Sequence, residues 1–161
     1  MDAIVAVYSD WGIGSNGTQP LVISADRAYF QKITKGAAVI VGRTTLADFP
    51  GGKPLKDRTN IIISRQDTPV EGALLVHSVE EALETAKAYD RCLVIGGATV
   101  YMKFFPYIDR IFITKIDQQP ECTAFFPNLD RNIEWECTHQ GEWQEEKGVR
   151  FCFCTYERIR K

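Results

Sequence analysis

The stretch Cys92-Leu93-Val94-Ile95-Gly96-Gly97-Ala98-Thr99-Val100-Tyr101-Met102-Lys103-Phe104 decides the fold class. Its apolar start reads as a short buried strand. The glycine pair is a tight break, and a helix over residues 98–104 follows. Strand, glycine turn and helix in immediate succession form the repeating unit of an α/β protein.

The same alternation extends to both sides. Upstream, residues 4–8, 37–41, 59–64 and 73–77 read as strands. Ser24 reads as the cap of a helix over residues 24–34 with Asp26 in its first turn, and Gly42-Arg43-Thr44-Thr45 opens a short helix that Pro50-Gly51-Gly52 ends. Ser78, with Glu81 three residues on, is a capping box for a helix running to about Tyr89. Downstream, residues 110–116 are a further strand, whereas residues 133–139 and 150–157 have no helix between them and are expected to pair antiparallel at the end of the sheet. Phe151 and Phe153 alternate with Cys152 and Cys154, which puts both sulfurs on one strand face. The architecture is α/β, with a mixed sheet and helices on both faces.

Composition narrows the function. A chain of 161 residues with 45% apolar residues can bury a core without disulfide or metal staples. Its apolar runs fall far short of the ~20 residues needed to cross a bilayer. Met1-Asp2-Ala3-Ile4-Val5 lacks the positive charge of a secretory signal, so a cytoplasmic location is expected. A net charge of −2 excludes a nucleic-acid coat. The 5 cysteines include no Cys-x-x-Cys pair, and His77 and His139 lie far apart, so no metal site is expected.

Residues Gly12-Ile13-Gly14-Ser15-Asn16-Gly17 match a dinucleotide fingerprint, but Thr18-Gln19-Pro20 follow and no helix opens until Ser24. The segment reads instead as a mobile loop over residues 12–20. Three strand ends do suggest an extended polyphosphate ligand: Gly42 to Thr45, Ser64-Arg65 and Gly96-Gly97 each bring glycine, hydroxyl or guanidinium groups to the carboxyl edge of the sheet. Asp26, close to that loop, would lie beside a pocket the loop can cover, where partial desolvation suits a carboxyl to proton transfer near neutral pH.

Taken in order, these segments resemble the dihydrofolate reductase family. The carrying residues are Ile13-Gly14 with Pro20, Asp26 with Phe30, Val41-Gly42-Arg43-Thr44-Thr45, Arg58 before Asn60-Ile61-Ile62, Ser64-Arg65, Ile95-Gly96-Gly97-Ala98 with Val100-Tyr101, Thr114-Lys115-Ile116, and Phe125-Phe126-Pro127. The resemblance implies a single three-layer domain over residues 1–161, with an eight-stranded, mainly parallel sheet, an antiparallel C-terminal pair and about four helices, and an adenosine-binding subdomain near residues 37–89. It implies hydride transfer from NADPH to 7,8-dihydrofolate with protonation, giving tetrahydrofolate for one-carbon metabolism, in a monomeric enzyme that antifolates target.

By that resemblance Asp26, supported by Thr114, is the only ionisable group at the pterin. Ile4, Ala6, Phe30, Phe49, Leu55 and Ile95 line the substrate pocket, and Arg58 grips the glutamate α-carboxylate. Ala6, Ile13, Gly14, Ile95 and Tyr101 surround the nicotinamide. Gly42, Arg43, Thr44 and Thr45 hold phosphates, as do Gly96, Gly97, Ala98 and Thr99, and Val100 also belongs to the cofactor site. Arg43 with Ser64 and Arg65 fits the adenosine 2′-phosphate, which favours NADPH over NADH. The family joins its two glycines by a cis peptide.

Some positions depart from the family pattern. Leu21 stands where most bacterial members carry a tryptophan that orders active-site water. Arg27 occupies a position usually apolar or neutral, from which it is expected to reach the substrate's glutamyl carboxylates. Ala98 and Thr99 replace a third glycine and a frequent basic residue, and Glu121-Cys122-Thr123-Ala124 replaces the usual Glu-Gly-Asp-Thr. Two other readings stand beside the reductase: an enzyme of the same fold acting on a pyrimidine of riboflavin synthesis, and a non-catalytic pterin-binding module. Asp26 with Arg58 argues against the first.

Overall fold

The computed structural model describes residues 1–14 and 20–159. Much of the expected mobile loop, residues 15–19, lies outside the described residues. The elements run β1 (Asp2–Val7), β2 (Gly12–Gly14), α1 (Ser24–Thr34), β3 (Ala38–Gly42), α2 (Arg43–Ala47), β4 (Thr59–Ile63), β5 (Ala73–Val76), α3 (Val79–Ala86), β6 (Cys92–Gly96), α4 (Ala98–Phe104), β7 (Arg110–Ile116), β8 (Ala124–Phe125), β9 (Trp135–Gln140), β10 (Gln144–Glu146) and β11 (Val149–Arg158).

The main sheet has the order β10-β11-β7-β1-β6-β3-β4-β5, with β9 also paired to β11. It is parallel from β7 to β5 and antiparallel at β11. Eight positions are filled across it, because β9 and β10 follow one another along the same edge of β11. Between them the Gly141 N–H donates to the Phe153 carbonyl at 2.8 Å, and a Cβ there would stand 3.0 Å from that oxygen. Glycine therefore lets the edge strand break without leaving its partner.

Central strands are apolar on both faces because both faces are covered. All five residues of β3 are buried. On one face Ile4, Val39, Val41 and Ile95 pack with Phe30 and Ile33 of α1 and Leu46 of α2. On the other, Ala3, Val5, Ile40 and Val94 pack with Ala82 of α3 and with Val100, Tyr101 and Phe104 of α4. Full burial of Phe104 alone contributes roughly 1.5–3 kcal/mol. The alternation along β11 holds: Cys152 and Cys154 face this second layer with sulfurs 3.7 Å apart, while Phe151 and Phe153 face away. Tyr29 of α1 stacks on Phe153 at 4.1 Å, docking that helix on the antiparallel end.

Two helix starts show how far local chemistry reaches. Ser78 accepts from the Glu81 N–H as the capping box predicts, although the Glu81 carboxylate takes the N–H of His77. The helix α3 ends at Ala86, and the N–H groups of Lys87, Ala88 and Tyr89 turn to carbonyls three residues back, which tightens the expected last turn. Ser24 is not a cap. The extended residue before the helix is Ile23, Ser24 is the first helical residue, and the carboxylate of Glu146 takes up its donors. A hydroxyl inside the first turn has passed the position from which it could fold back on the free N–H groups.

Candidate active site

Asp26 is the third residue of α1, which lies over the β1–β7 seam. There Thr114 of β7 sits opposite Ala6 of β1, and its hydroxyl donates to Asp26 Oδ1 at 2.6 Å. Thr114 is 1% exposed. Burial pushes the Asp26 carboxyl above its ordinary range, and the Thr114 hydrogen bond partly offsets this. Its charge also faces Tyr8, Tyr29 and Tyr101, whose hydroxyls burial raises further. The Tyr101 hydroxyl donates to the Ile4 carbonyl at 2.7 Å.

Apolar walls flank this carboxyl. Ile4 and Ile95 form one cluster with partly buried Phe30, Phe49 and Leu55, so the structure brings together the residues expected at the substrate. Ala6 and Leu21 join Tyr8, Ile23 and Phe151 in a second cluster. Arg58 lies at the far end. Its Nε donates to the buried Thr34 hydroxyl at 2.8 Å, while its terminal nitrogens donate to the Lys56 carbonyl and Gln31 Oε1. The guanidinium is therefore aimed before any ligand arrives. Arg27 is exposed, and its side chain makes no hydrogen bond among the described residues.

The second half of the site is a seam between two helix starts. The register of β3 against β6 shifts between Ile40 and Val41, which sets Val41 beside Gly96 and brings the start of α2 against that of α4. Gly96-Gly97 is a cis peptide, as the family resemblance implies. Packing explains the glycines: a Cβ on Gly97 would meet Thr45 Oγ1 at 2.8 Å, and one on Gly42 would meet Val100 at 3.0 Å. Neither α2 nor α4 has a side-chain cap, so their first-turn N–H groups keep their donors for a ligand. Ala98 is half-buried at this seam, whereas Thr44 and Thr99 are exposed. Beyond it Arg43 donates from Nε to Ser64 Oγ at 3.1 Å and from a terminal nitrogen to the Thr68 carbonyl at 2.7 Å. Arg65 is exposed beside them.

Ile13 and Gly14 belong to β2, not to an irregular loop. In that strand Gly12 pairs antiparallel with Phe125 of β8 and Gly14 with Ala124, and the Thr123 N–H donates to the Gly14 carbonyl at 2.9 Å. A Cβ on Gly12 would stand 2.7 Å from Cys122 Sγ, so the departure at Cys122 fits against a glycine across the pair. Three residues shape the site in ways the sequence did not assign to them. The Tyr8 hydroxyl accepts the Leu21 N–H at 3.1 Å. Buried Asn60 holds both polar atoms of the Leu55 backbone, at 3.0 and 2.9 Å. Glu146 holds the start of α1. A polar residue inside the apolar run of β4 was the available signal for Asn60.

Fold and site together define an α/β reductase with a two-part cleft: an acid in an apolar pocket, and a cationic seam between helix starts. Comparison with known proteins agrees. The sequence model of dihydrofolate reductase matches residues 1–158. The dihydrofolate reductase of Bacillus subtilis is 36% identical over 157 residues, covering 96% of this chain and 92% of that protein. That of Rattus norvegicus is 36% identical over 181 residues, covering 98% and 97%. The structure of dihydrofolate reductase from Enterococcus faecalis complexed with NADP(H) and RAB-propyl superposes with a TM-score of 0.88 at 31% identity, covering 99% of this chain and 96% of that one. The chain belongs to the dihydrofolate reductase family, a family of NADPH-dependent oxidoreductases.

Proposed function

We propose that the chain reduces 7,8-dihydrofolate to 5,6,7,8-tetrahydrofolate, with Asp26 the acid at the pterin. The carrying observation is the Asp26 carboxyl, desolvated beside apolar walls and held by Thr114. Bound NADPH supplies the hydride. Asp26 hydrogen-bonds the pterin amino group and favours the ring protonation state that accepts hydride. Thr114 fixes the carboxyl's direction. Ile4, Ala6, Phe30, Phe49, Leu55 and Ile95 enclose the ring and exclude water. Leu21, held by Tyr8, closes the pocket where a bacterial tryptophan would order water.

Arg58 grips the α-carboxylate with the N–H groups that Thr34, Lys56 and Gln31 leave free. Arg27 adds a second charge contact to the glutamyl tail, unavailable to small diaminopyrimidine antifolates. The seam fits the cofactor because two uncapped helix starts meet where glycines leave no Cβ between them. Gly42, Thr44, Thr45 and the run Gly96 to Thr99 hold phosphates there, and Val100 also belongs to the cofactor site. Ala6, Ile13, Gly14 and Tyr101 flank the nicotinamide, and Arg43, Ser64 and Arg65 take the 2′-phosphate. Residues 37–89, from β3 through α3, form the adenosine-binding part of one domain over residues 1–161.

The enzyme acts as a monomer in the cytoplasm. Its exposed large apolar side chains, Val22, Leu74, Met102 and Ile133 among them, come from segments far apart in the chain, which supports a chain without a built partner surface. Among the described residues no helix is long and apolar enough to cross a membrane, and no group of three or more His, Cys, Asp or Glu could hold a metal. The deciding assay follows NADPH absorbance with dihydrofolate, for the natural sequence and Asp26→Asn. Turnover that Asp26→Asn lowers about 10²–10⁴-fold near neutral pH is the expected result. Binding of dihydrofolate without turnover would instead establish the pterin-binding module.

A further inference from the structure

Helix α1 opens without a cap of its own. Ile23 has no side-chain oxygen, and the Ser24 hydroxyl donates outward. Both are answered from 122 residues along the chain, at the end of β10. Glu146 Oε2 accepts the Ser24 N–H at 2.7 Å and the Ser24 hydroxyl at 2.8 Å, while Oε1 accepts the Ala25 N–H at 3.1 Å. Two oxygens on two adjacent residues form a fork that sets direction as well as distance. The next residue is Asp26.

A carboxylate at the positive end of a helix is favourable in itself. Here it also ties the C-terminal hairpin to the turn that carries the acid. The same turn is held by the Thr114 hydroxyl on Asp26 and by Tyr29 stacked on Phe153, so β7, β10 and β11 fix it jointly. We propose that Glu146 is a positioning residue for Asp26: its grip on Ser24 and Ala25 holds the acid against Thr114 and keeps water from entering behind it. The inference rests on the role of Asp26 proposed above.

Other ionisable groups leave that effect visible. Around Asp26 stand Tyr8 at the end of β1, Tyr29 on α1 and Tyr101 on α4, and burial raises all three above their ordinary range. Beside Glu146 stands Lys147, and the hydrogen bonds from Ser24 hold the Glu146 carboxyl below its ordinary range. Asp26 is thus the group of this set raised toward the neutral range.

The test is single-turnover hydride transfer against pH for the whole enzyme and for Glu146→Ala, Glu146→Gln and Ser24→Ala, with urea denaturation of each. In Glu146→Ala the fraying turn admits water, so the acid-side inflection falls toward the ordinary carboxylate range and transfer at neutral pH drops roughly tenfold. The KM for NADPH stays unchanged. Glu146→Gln, which keeps one acceptor oxygen, restores much of the rate. If Glu146→Ala does not fold, Ser24→Ala carries the test, with a smaller shift in the same direction. Lower stability with a natural pH profile and rate would make Glu146 a structural clamp only and overturn the proposal. Absence of turnover in the natural enzyme would overturn the functional reading instead.

Discussion

The Thr114 hydroxyl donates to Oδ1 of Asp26 at 2.6 Å, from a strand buried in the sheet to the first turn of a helix lying across it. This bond opposes burial, which on its own would keep the acid protonated still higher. Removing the hydroxyl with Thr114→Val is expected to move the acid-side inflection of hydride transfer upward. Loss of a hydrogen bond to a charged group at this buried position costs about 1.5–3 kcal/mol of stability. A pH–rate profile at several ionic strengths, paired with urea denaturation, measures both. A downward shift would contradict the assignment of Thr114.

Asp26 itself trades stability for chemistry. A carboxyl whose folded pKa lies above its unfolded value destabilises the fold once it is ionised, and the penalty fades as pH falls through the folded pKa. Asp26→Asn is therefore expected to unfold at higher urea concentration than the natural protein near neutral pH. The two should converge as pH approaches about 4, the unperturbed carboxylate range. Turnover should fall about 10²–10⁴-fold near neutral pH. Equal urea midpoints at every pH would show that burial leaves the acid unperturbed.

At the cofactor seam the limiting contact is one atom wide. A methyl on Gly97 would lie 2.8 Å from Thr45 Oγ1. Gly97→Ala is expected to cost roughly 1–3 kcal/mol by overpacking and to abolish NADPH binding. Because the clash is with a side chain, Gly97→Ala with Thr45→Ala should recover part of that stability. Thermal unfolding with and without NADPH compares them. An additive double variant would show that the two positions do not touch.

What the sequence made legible was whatever is local. The short apolar runs marked the strands, Ser78 and Glu81 marked a helix start, and the alternation from Phe151 to Cys154 marked the two faces of the last strand. Groups satisfied by distant partners were not legible. Ser24 carries the signature of a cap, yet its partner is Glu146 from the far end of the chain. Gly12-Ile13-Gly14 has loop composition and becomes a strand only because Ala124 and Phe125 arrive beside it. Family resemblance located Arg58, but nothing near it in sequence announced that Thr34 would aim it.

Arg43 and Ser64 meet at 3.1 Å where β3 and β4 end side by side. That pairing makes a fixed cation beside a hydroxyl, suited to a phosphate monoester. Arg43→Ala is expected to raise the KM for NADPH about 10–100-fold, the loss of one or two charge-assisted hydrogen bonds. The KM for NADH should scarcely change, since that cofactor lacks the 2′-phosphate. Initial rates with both cofactors check this, and equal losses would place the 2′-phosphate elsewhere.

The grip on the substrate's far end runs through Thr34, which is fully buried and serves two partners. Its hydroxyl donates to the Phe30 carbonyl at 2.7 Å and accepts from Arg58 Nε at 2.8 Å, so helix α1 aims the guanidinium. Thr34→Val keeps the volume and removes both bonds. The guanidinium then loses its fixed direction, and the KM for dihydrofolate should rise about 3–10-fold, or roughly 0.7–1.4 kcal/mol. Hydride transfer at saturation should be unchanged, because Arg58 lies far from the reacting ring. A dihydropterin lacking the glutamyl tail supplies the control. Its KM should be the same for the natural and variant enzymes, and an equal rise for both substrates would mean that Thr34 shapes the pocket wall and not the carboxylate grip.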